Sequence, residues 1–177
     1  MKIPIPKLKA LLLYFGTYTD KELLGKVKLM KLIYFADFLH VKKYGSPITY
    51  DTYIKLEHGP VPSAIKNLVD TAYDDVDNSM LADTIRFDTS GGYIHRVIPQ
   101  RIFSEKDKNY FSDTELEILR NVVERFGDKN ARFIEEASHE ESPWKETNFL
   151  EEIPYSLATH DDDCNVSREE IEMLMNI

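Results

Sequence analysis

Between Lys26 and Tyr44 the chain is apolar around nearly the whole circumference of a helix. At ~100° per residue, Leu29, Leu32, Ile33, Ala36 and Leu39 form one broad stripe, with Met30, Tyr34 and Val41 beside it. A helix of this kind has no face to offer water, so other elements must surround it. Gly45 closes it, because glycine readily takes the left-handed turn that ends a helix. Lys28, Lys31, Phe35, Phe38 and Lys42 fall along one side as a basic and aromatic stripe. Either Phe35 is half-buried and the lysine stems cover apolar surface, or the lysines stand open as a docking face. With 177 residues the chain can wrap one domain around such a helix. It is too short for a TIM barrel or a two-domain dinucleotide enzyme.

The flanking segments supply the wrapping. Pro6 opens a helix with Leu8, Leu11, Leu12 and Phe15 on one face, and Gly16 is expected to end it. Thr19 or Asp20 is placed to cap the next helix. Ile48 to Leu56 is rich in β-formers. His58-Gly59-Pro60-Val61-Pro62 is expected to be a turn or rigid loop, because glycine and proline break regular structure. Pro62 suits the first turn of a helix reaching about Tyr73, and Asp74 to Asn78 reads as loop. Thr84 to Phe87 and Tyr93 to Ile98 alternate around Thr89-Ser90-Gly91-Gly92, which predicts a β-hairpin. Ser112 with Glu115, and Ser167 with Glu170, have the spacing of capping boxes. The first opens a helix bearing Leu116, Leu119, Val122, Val123 and Phe126, closed by Gly127. The second opens a last helix with Ile171, Leu174 and Met175. Asn130 to about Ser138 is also helical, and Ser142-Pro143-Trp144 starts a short turn. The fold class is α+β: a mostly helical single domain of five or six helices, with a central buried helix and a small antiparallel sheet. The domain is expected over residues 5–150, with residues 151–177 an acidic loop and C-terminal helix packed on it or extending it.

Charge is unevenly spread. Lys and Arg number 22 against 31 Asp and Glu, a net of -9. From Glu135 to Glu172 there are thirteen acidic and two basic residues, whereas residues 1–44 hold nine lysines and three acids. Broad binding to DNA or an anionic membrane needs a positive field and is disfavoured. The basic end, Lys2 to Lys43, is the one candidate surface for DNA. The acidic end is either a solvated face or an attraction for a basic partner. No stretch is long enough to span a membrane, and Ala10 to Phe15 is a poor signal peptide. The single cysteine, Cys164, forms no intrachain disulfide. A cytoplasmic protein is expected.

The sequence has no Gly-rich phosphate loop, no dinucleotide fingerprint and no Gly-x-Ser-x-Gly elbow. His139-Glu140-Glu141-Ser142 begins like a zinc-protease helix, but Pro143 stands where the second histidine is needed. His160 and Cys164 flank three aspartates; a closed zinc site needs four ligands, and the carboxylates suppress the thiolate. No metal, no cofactor and no catalytic residue is expected. The enzymatic alternative is a site built from His58, His139 and nearby carboxylates.

Three segments carry a resemblance. They are Lys28-Leu29-Met30-Lys31-Leu32-Ile33-Tyr34-Phe35-Ala36-Asp37 with Tyr44-Gly45-x-Pro47-Ile48; His58-Gly59-Pro60-Val61; and Ser138-His139 followed by Pro143-Trp144. In this order and spacing the chain resembles the Panacea domain, also called the SocA-like antitoxin domain, over roughly residues 5–150. Met30 departs from the pattern, since many members carry Gln there. The resemblance implies an antitoxin of a two-gene toxin–antitoxin system, often phage-associated, that neutralises its toxin by direct contact. A variant implied by one member type is a proteolytic adaptor that delivers the toxin to an ATP-dependent host protease. The implied partner is a cognate protein toxin, encoded next to the antitoxin.

The motif residues Lys28, Lys31, Tyr34, His58, Gly59, Pro60, His139 and Trp144 are therefore the candidate partner-binding residues. Each also has a reading in the fold alone. Lys28 and Lys31 can cap or pair with carboxylates. Tyr34 can be core, or can hydrogen-bond a buried polar group. Gly59 permits a special backbone conformation and Pro60 stiffens it. Trp144 can pack on the core with His139 as a polar neighbour.

Overall fold

The computed structural model describes residues 3–90 and 95–175. Helix α1 (Ile5–Tyr18) leads into α2 (Lys26–Tyr44). A hairpin of β1 (Tyr53–Leu56) and β2 (Gly59–Pro62) is followed by α3 (Ser63–Asp74). A second hairpin, β3 (Ile85–Asp88) and β4 (Arg96–Pro99), precedes a run of helices. These are α4 (Glu105–Lys108), α5 (Asp113–Phe126), α6 (Ala131–Glu140) and α7 (Ser142–Lys145). The short strand β5 (Glu152–Ile153), a 3-10 turn (Tyr155–His160) and α8 (Arg168–Met175) complete the chain.

Helix α2 is the axis of the molecule. It packs on α5, α6, β2 and the Tyr155–His160 turn. Leu29, Leu32, Ile33, Tyr34, Phe35, Ala36 and Phe38 are all fully buried. Removing a large apolar side chain of this kind from water stabilises the fold by roughly 1.5–3 kcal/mol. The basic and aromatic stripe is not a docking face. Phe35 is completely rather than half buried, and Lys28, Lys31 and Lys42 are buried with it. Gly45, at φ 82°, ends α2 as expected, and its N–H donates to Val41 O at 2.8 Å.

Several local expectations are corrected. Gly16 does not end α1, which continues to Tyr18. Pro99 of β4 packs so closely there that a Cβ on Gly16 would lie 2.9 Å from the Pro99 ring. Neither Thr19 nor Asp20 caps α2; Gly25 occupies that position, with no side-chain cap. Thr19 instead closes α1, its hydroxyl donating to Phe15 O. Pro62 is the N-cap of α3 rather than part of its first turn. Residues Val76–Asn78 form a 3-10 turn within the expected loop.

The largest correction concerns Gly59-Pro60-Val61-Pro62, which forms strand β2 and not a loop. The pairing is antiparallel, with Tyr53 opposite Pro62, Ile54 opposite Val61, Lys55 opposite Pro60 and Leu56 opposite Gly59. The strand order is β2-β1-β5, so β2 is an edge. Ser63 N donates to Thr52 O at 2.9 Å, which sets the phase of the ladder. Residues 59, 61 and 63 turn toward β1, and the two prolines fall at the alternate positions. There the missing N–H would have pointed away from the partner strand. Proline is tolerated on an edge strand for this reason, and it also blunts the edge against further pairing.

The second hairpin is as expected, with Ile85 opposite Pro99 and Phe87 opposite Val97. Gly91, Gly92, Tyr93 and Ile94 of that prediction lie outside the described residues, as do Lys2 and Asn176. Both capping boxes form. Ser112 accepts from Glu115 N while the Glu115 carboxylate accepts from Ser112 N, and Ser167 with Glu170 do the same.

The C-terminal segment is woven into the domain. Glu152 and Ile153 pair with Ile54 and Tyr53 of β1. Tyr155, Ala158 and Ile171 are buried in the common core. No helix among the described residues is long and apolar enough to cross a membrane.

Candidate partner-binding site

Lys31 points from α2 into the β1–β2 hairpin, where its ammonium donates to Pro60 O at 2.8 Å. Burial pulls its pKa down from 10.5 to about 7, against the attraction of Glu135. The side chain is a strut inside the fold. Gly59 lies across it at φ 97°, a conformation that side chains resist. A Cβ at this position would also stand 2.7 Å from Ser138 Oγ and 2.9 Å from Lys31 Cε. Gly59 is therefore needed twice, for its backbone angle and for the close approach of β2 to α2 and α6. The Ser138 hydroxyl donates to Glu135 O at 2.7 Å.

Near the hairpin His139 and Trp144 stack, with ring centroids 3.9 Å apart and planes 17° from parallel. The Lys55 ammonium lies 4.1 Å from the Trp144 ring and donates to Thr147 O at 2.8 Å. Trp144 Nε1 donates to Leu56 O at 3.4 Å. Burial lowers the pKa of His139, and Lys31, Lys55 and His58 add to this against Glu135. This favours the neutral ring, which suits its face-to-face contact with tryptophan. Its Nε2 atom is buried with no hydrogen-bond partner among the described residues. His58, at the hairpin turn, is exposed and sits 3.2 Å from Glu135.

Seven of the eight candidate residues, Lys31, Tyr34, His58, Gly59, Pro60, His139 and Trp144, thus lie on elements packed around the hairpin. Lys28 is elsewhere: its ammonium donates to Gly127 O at 2.8 Å, at the C-terminal end of α5. A cation there complements the helix dipole. Burial lowers its pKa, with Asp20 and Asp128 opposing. Lys28, Lys31 and Tyr34 are all enclosed, so a partner cannot touch their side chains while the domain is folded. Tyr34 packs edge-on against Phe35 and Tyr53. His58 alone among the eight is freely exposed.

A further group that positions this hairpin is Asp37, the last residue of the first motif segment, which is not among the eight candidates. Asp37, in the middle of α2, is fully buried. Its Oδ1 accepts from Ile48 N and Thr49 N, both at 2.8 Å, and its Oδ2 accepts from Thr49 Oγ1 and from Tyr53 OH at 2.8 Å. Tyr155 OH adds a contact at 3.3 Å. This one carboxylate fixes residues 48–53 and hence the start of β1. Asp51 then accepts from Ala64 N and Ile65 N, capping α3. The signal that could have found Asp37 is a charged residue set in an all-round apolar helix, since a buried charge must be partnered.

Lys42 has a second such site, against Glu141, Asp161 and Asp163. Burial opposes its charge, but the three carboxylates outweigh it and hold its pKa above 10.5. Glu141 is raised by burial despite Lys42, because one cation faces several anions. Replacing Lys42 by methionine is expected to cost about 3–5 kcal/mol in urea denaturation at pH 7, by leaving buried carboxylates unpaired. Unpaired carboxylates take up protons, so the deficit should shrink as pH falls toward 4.

Among the described residues, most lysines of the basic end are paired or buried. Lys7 pairs with Glu115, Lys9 with Asp83, Lys26 with Asp70 and Lys43 with Glu117. His40 Nε2 lies 3.1 Å from the Thr114 hydroxyl, with its Nδ1 against Ser46 O, while Ser138 is engaged with Glu135 O and Cys164 Sγ with Val166 O. Among the described residues no three His, Cys, Asp or Glu side chains are grouped to hold a metal.

The chain matches no solved structure and no curated protein sequence. A family model described as antitoxin SocA-like, Panacea domain, matches residues 29–145. That span runs from the first turn of α2 to the end of α7, and takes in the Lys31 strut, the Gly59–Pro60 strand, the Asp37 network and the His139–Trp144 stack. The chain belongs to the SocA-like antitoxin family with the Panacea domain.

Proposed function

We propose that this protein is an antitoxin, acting in the cytoplasm, that neutralises a cognate protein toxin by direct binding. The observation that carries the reading is the family match, which spans all of the motif-bearing part of the domain but Lys28. The motif residues are consistent with it in a particular way. Most of them hold the hairpin against α2 and α6, and the surface around that frame is left to choose a partner. The acidic balance between Glu135 and Glu172 favours a basic toxin, by steering and by complementarity.

The toxin is taken to be the product of the neighbouring reading frame. Cells carrying that frame and this one under separate promoters provide the test. Growth should arrest when the neighbour is induced alone and recover when both are induced. The purified pair should form a complex whose affinity falls with added salt. An arrest that this protein leaves unchanged would reject the pairing. Toxin that vanishes from rescued cells only when the host protease is intact would mark delivery to proteolysis instead of direct neutralisation.

A further inference from the structure

After α7 the chain turns sharply before β5, and the turn carries Phe149 and Leu150. Both are large apolar side chains in water, at 60% and 63% exposure. Leu150 has φ 67°, a left-handed conformation that bulky residues avoid. It is held there by its neighbours. Leu150 N donates to Lys55 O at 2.9 Å, Lys55 N donates to Glu151 O at 3.0 Å, and Glu151 N donates to Asn148 O at 3.1 Å. The Asn148 side chain also donates to the Glu151 carboxylate at 3.0 Å. The loop is clamped to β1 in a form that turns two apolar side chains outward at a cost in backbone strain. Neither belongs to the buried core. The ladder uses the strained backbone, since Leu150 N and Glu151 O both pair with Lys55, but it leaves the two side chains facing outward.

The surroundings are acidic. Glu146, Glu151 and Glu152 are exposed within the same short stretch, and residues 146–152 contain no basic side chain. Lys55, beneath the loop, is directed at the Trp144 ring and Thr147 O. The pair lies beyond Lys145, where the family match stops, in a part of the chain that the shared pattern does not specify.

We propose that Phe149 and Leu150 form a preorganised apolar anchor that inserts into an apolar pocket, bordered by Lys or Arg, on a basic partner protein. A few large side chains that fill desolvated pockets on a partner carry most of the binding energy of an interface. The acidic ring matches the basic border and sets orientation and association rate. The clamped loop loses little freedom on binding, which favours affinity. The identification of that partner with the toxin rests on the function proposed above.

Two variants and one probe test this. Leu150→Gly removes the side chain and relieves the strain, so the melting temperature should hold or rise. Phe149→Ala removes the other half of the anchor. Each should weaken binding of the purified neighbouring toxin about tenfold, and the double variant about a hundredfold. In parallel, p-benzoylphenylalanine at position 149 is photo-crosslinked in host cells. Ile102 and Met173, more exposed still at 72% and 68%, serve as control positions.

A crosslink from position 149 alone, mapped to a Lys- or Arg-bordered apolar site on a basic protein, supports the anchor. If that protein is not the neighbouring toxin and growth arrest is not reversed, the anchor stands and the toxin reading falls. If the double variant binds and neutralises the toxin within about twofold of the natural chain, the anchor falls and the toxin reading stands. No crosslink above the controls, or a crosslink to an acidic protein, overturns the anchor in either case.

Discussion

Gly59→Val is expected to destabilise the domain by about 4 kcal/mol or more, enough to leave it largely unfolded at growth temperature if its total stability is near ~5 kcal/mol. Two independent causes add. Residue 59 sits at φ 97°, where a side chain costs roughly 1–2 kcal/mol. A Cβ would meet Ser138 Oγ at 2.7 Å and Lys31 Cε at 2.9 Å, an overpacking that costs roughly 1–3 kcal/mol before the branched methyls are added. Gly59→Ala should show a graded version, lowering the melting temperature by about 10 °C. Ser138→Ala in the same chain removes one of the two close contacts and should recover part of that loss. If Gly59→Ala melts with the natural protein, the approach of β2 to α2 is not as tight as described.

Asp37→Ala is the second large effect, about 4 kcal/mol in denaturant unfolding. The substitution leaves Ile48 N, Thr49 N and Tyr53 OH buried without their acceptor, and each orphaned donor costs roughly 1–3 kcal/mol. It should also release residues 48–53, so hydrogen exchange in β1 should accelerate before that in α5. The pH dependence has a definite sign. Burial raises the Asp37 pKa from 3.8 to about 6, against the pull of its Thr49, Tyr53 and Ile48 hydrogen bonds. The folded chain therefore holds this proton more tightly than the unfolded chain. Stability from this group is fully present below pH 4 and is lost as pH rises through about 6. Asparagine does not titrate there. The deficit of Asp37→Asn should be largest near pH 4 and should narrow by about 2–3 kcal/mol toward pH 7. A deficit that is flat across this range would mean that Asp37 does not hold its proton more tightly in the folded chain.

What can be seen in the sequence is mostly local. The capping boxes of Ser112 and Ser167 need only a four-residue window, and both form. The burial of α2 follows from its own side chains, as does its end at Gly45. Prolines 60 and 62 mislead because their harmlessness depends on ladder phase, which a pairing with residues 53 and 55 decides. Gly16 ends a helix by composition, yet Pro99 lies against it from more than eighty positions along the chain. The lysines of α2 are the clearest case. Periodicity places Lys28, Lys31 and Lys42 on one side, but it cannot name Gly127 O, Pro60 O or the carboxylates of Glu141 and Asp161. The candidate residues accordingly prove to be framework more than surface, and the exposed pair at 149 and 150 carries no motif to mark it.

The tie between Asp37 and Tyr155 spans 118 residues, and β5 closes the sheet from the far end of the chain. During synthesis at ~5–20 residues per second, α2 must wait about 6–24 s for the segment that completes its surroundings. In that interval the nascent chain holds an unfinished sheet and a lysine, Lys42, without its acidic partners. A cell that slows translation would lengthen the delay before new copies become competent, while copies already finished remain closed.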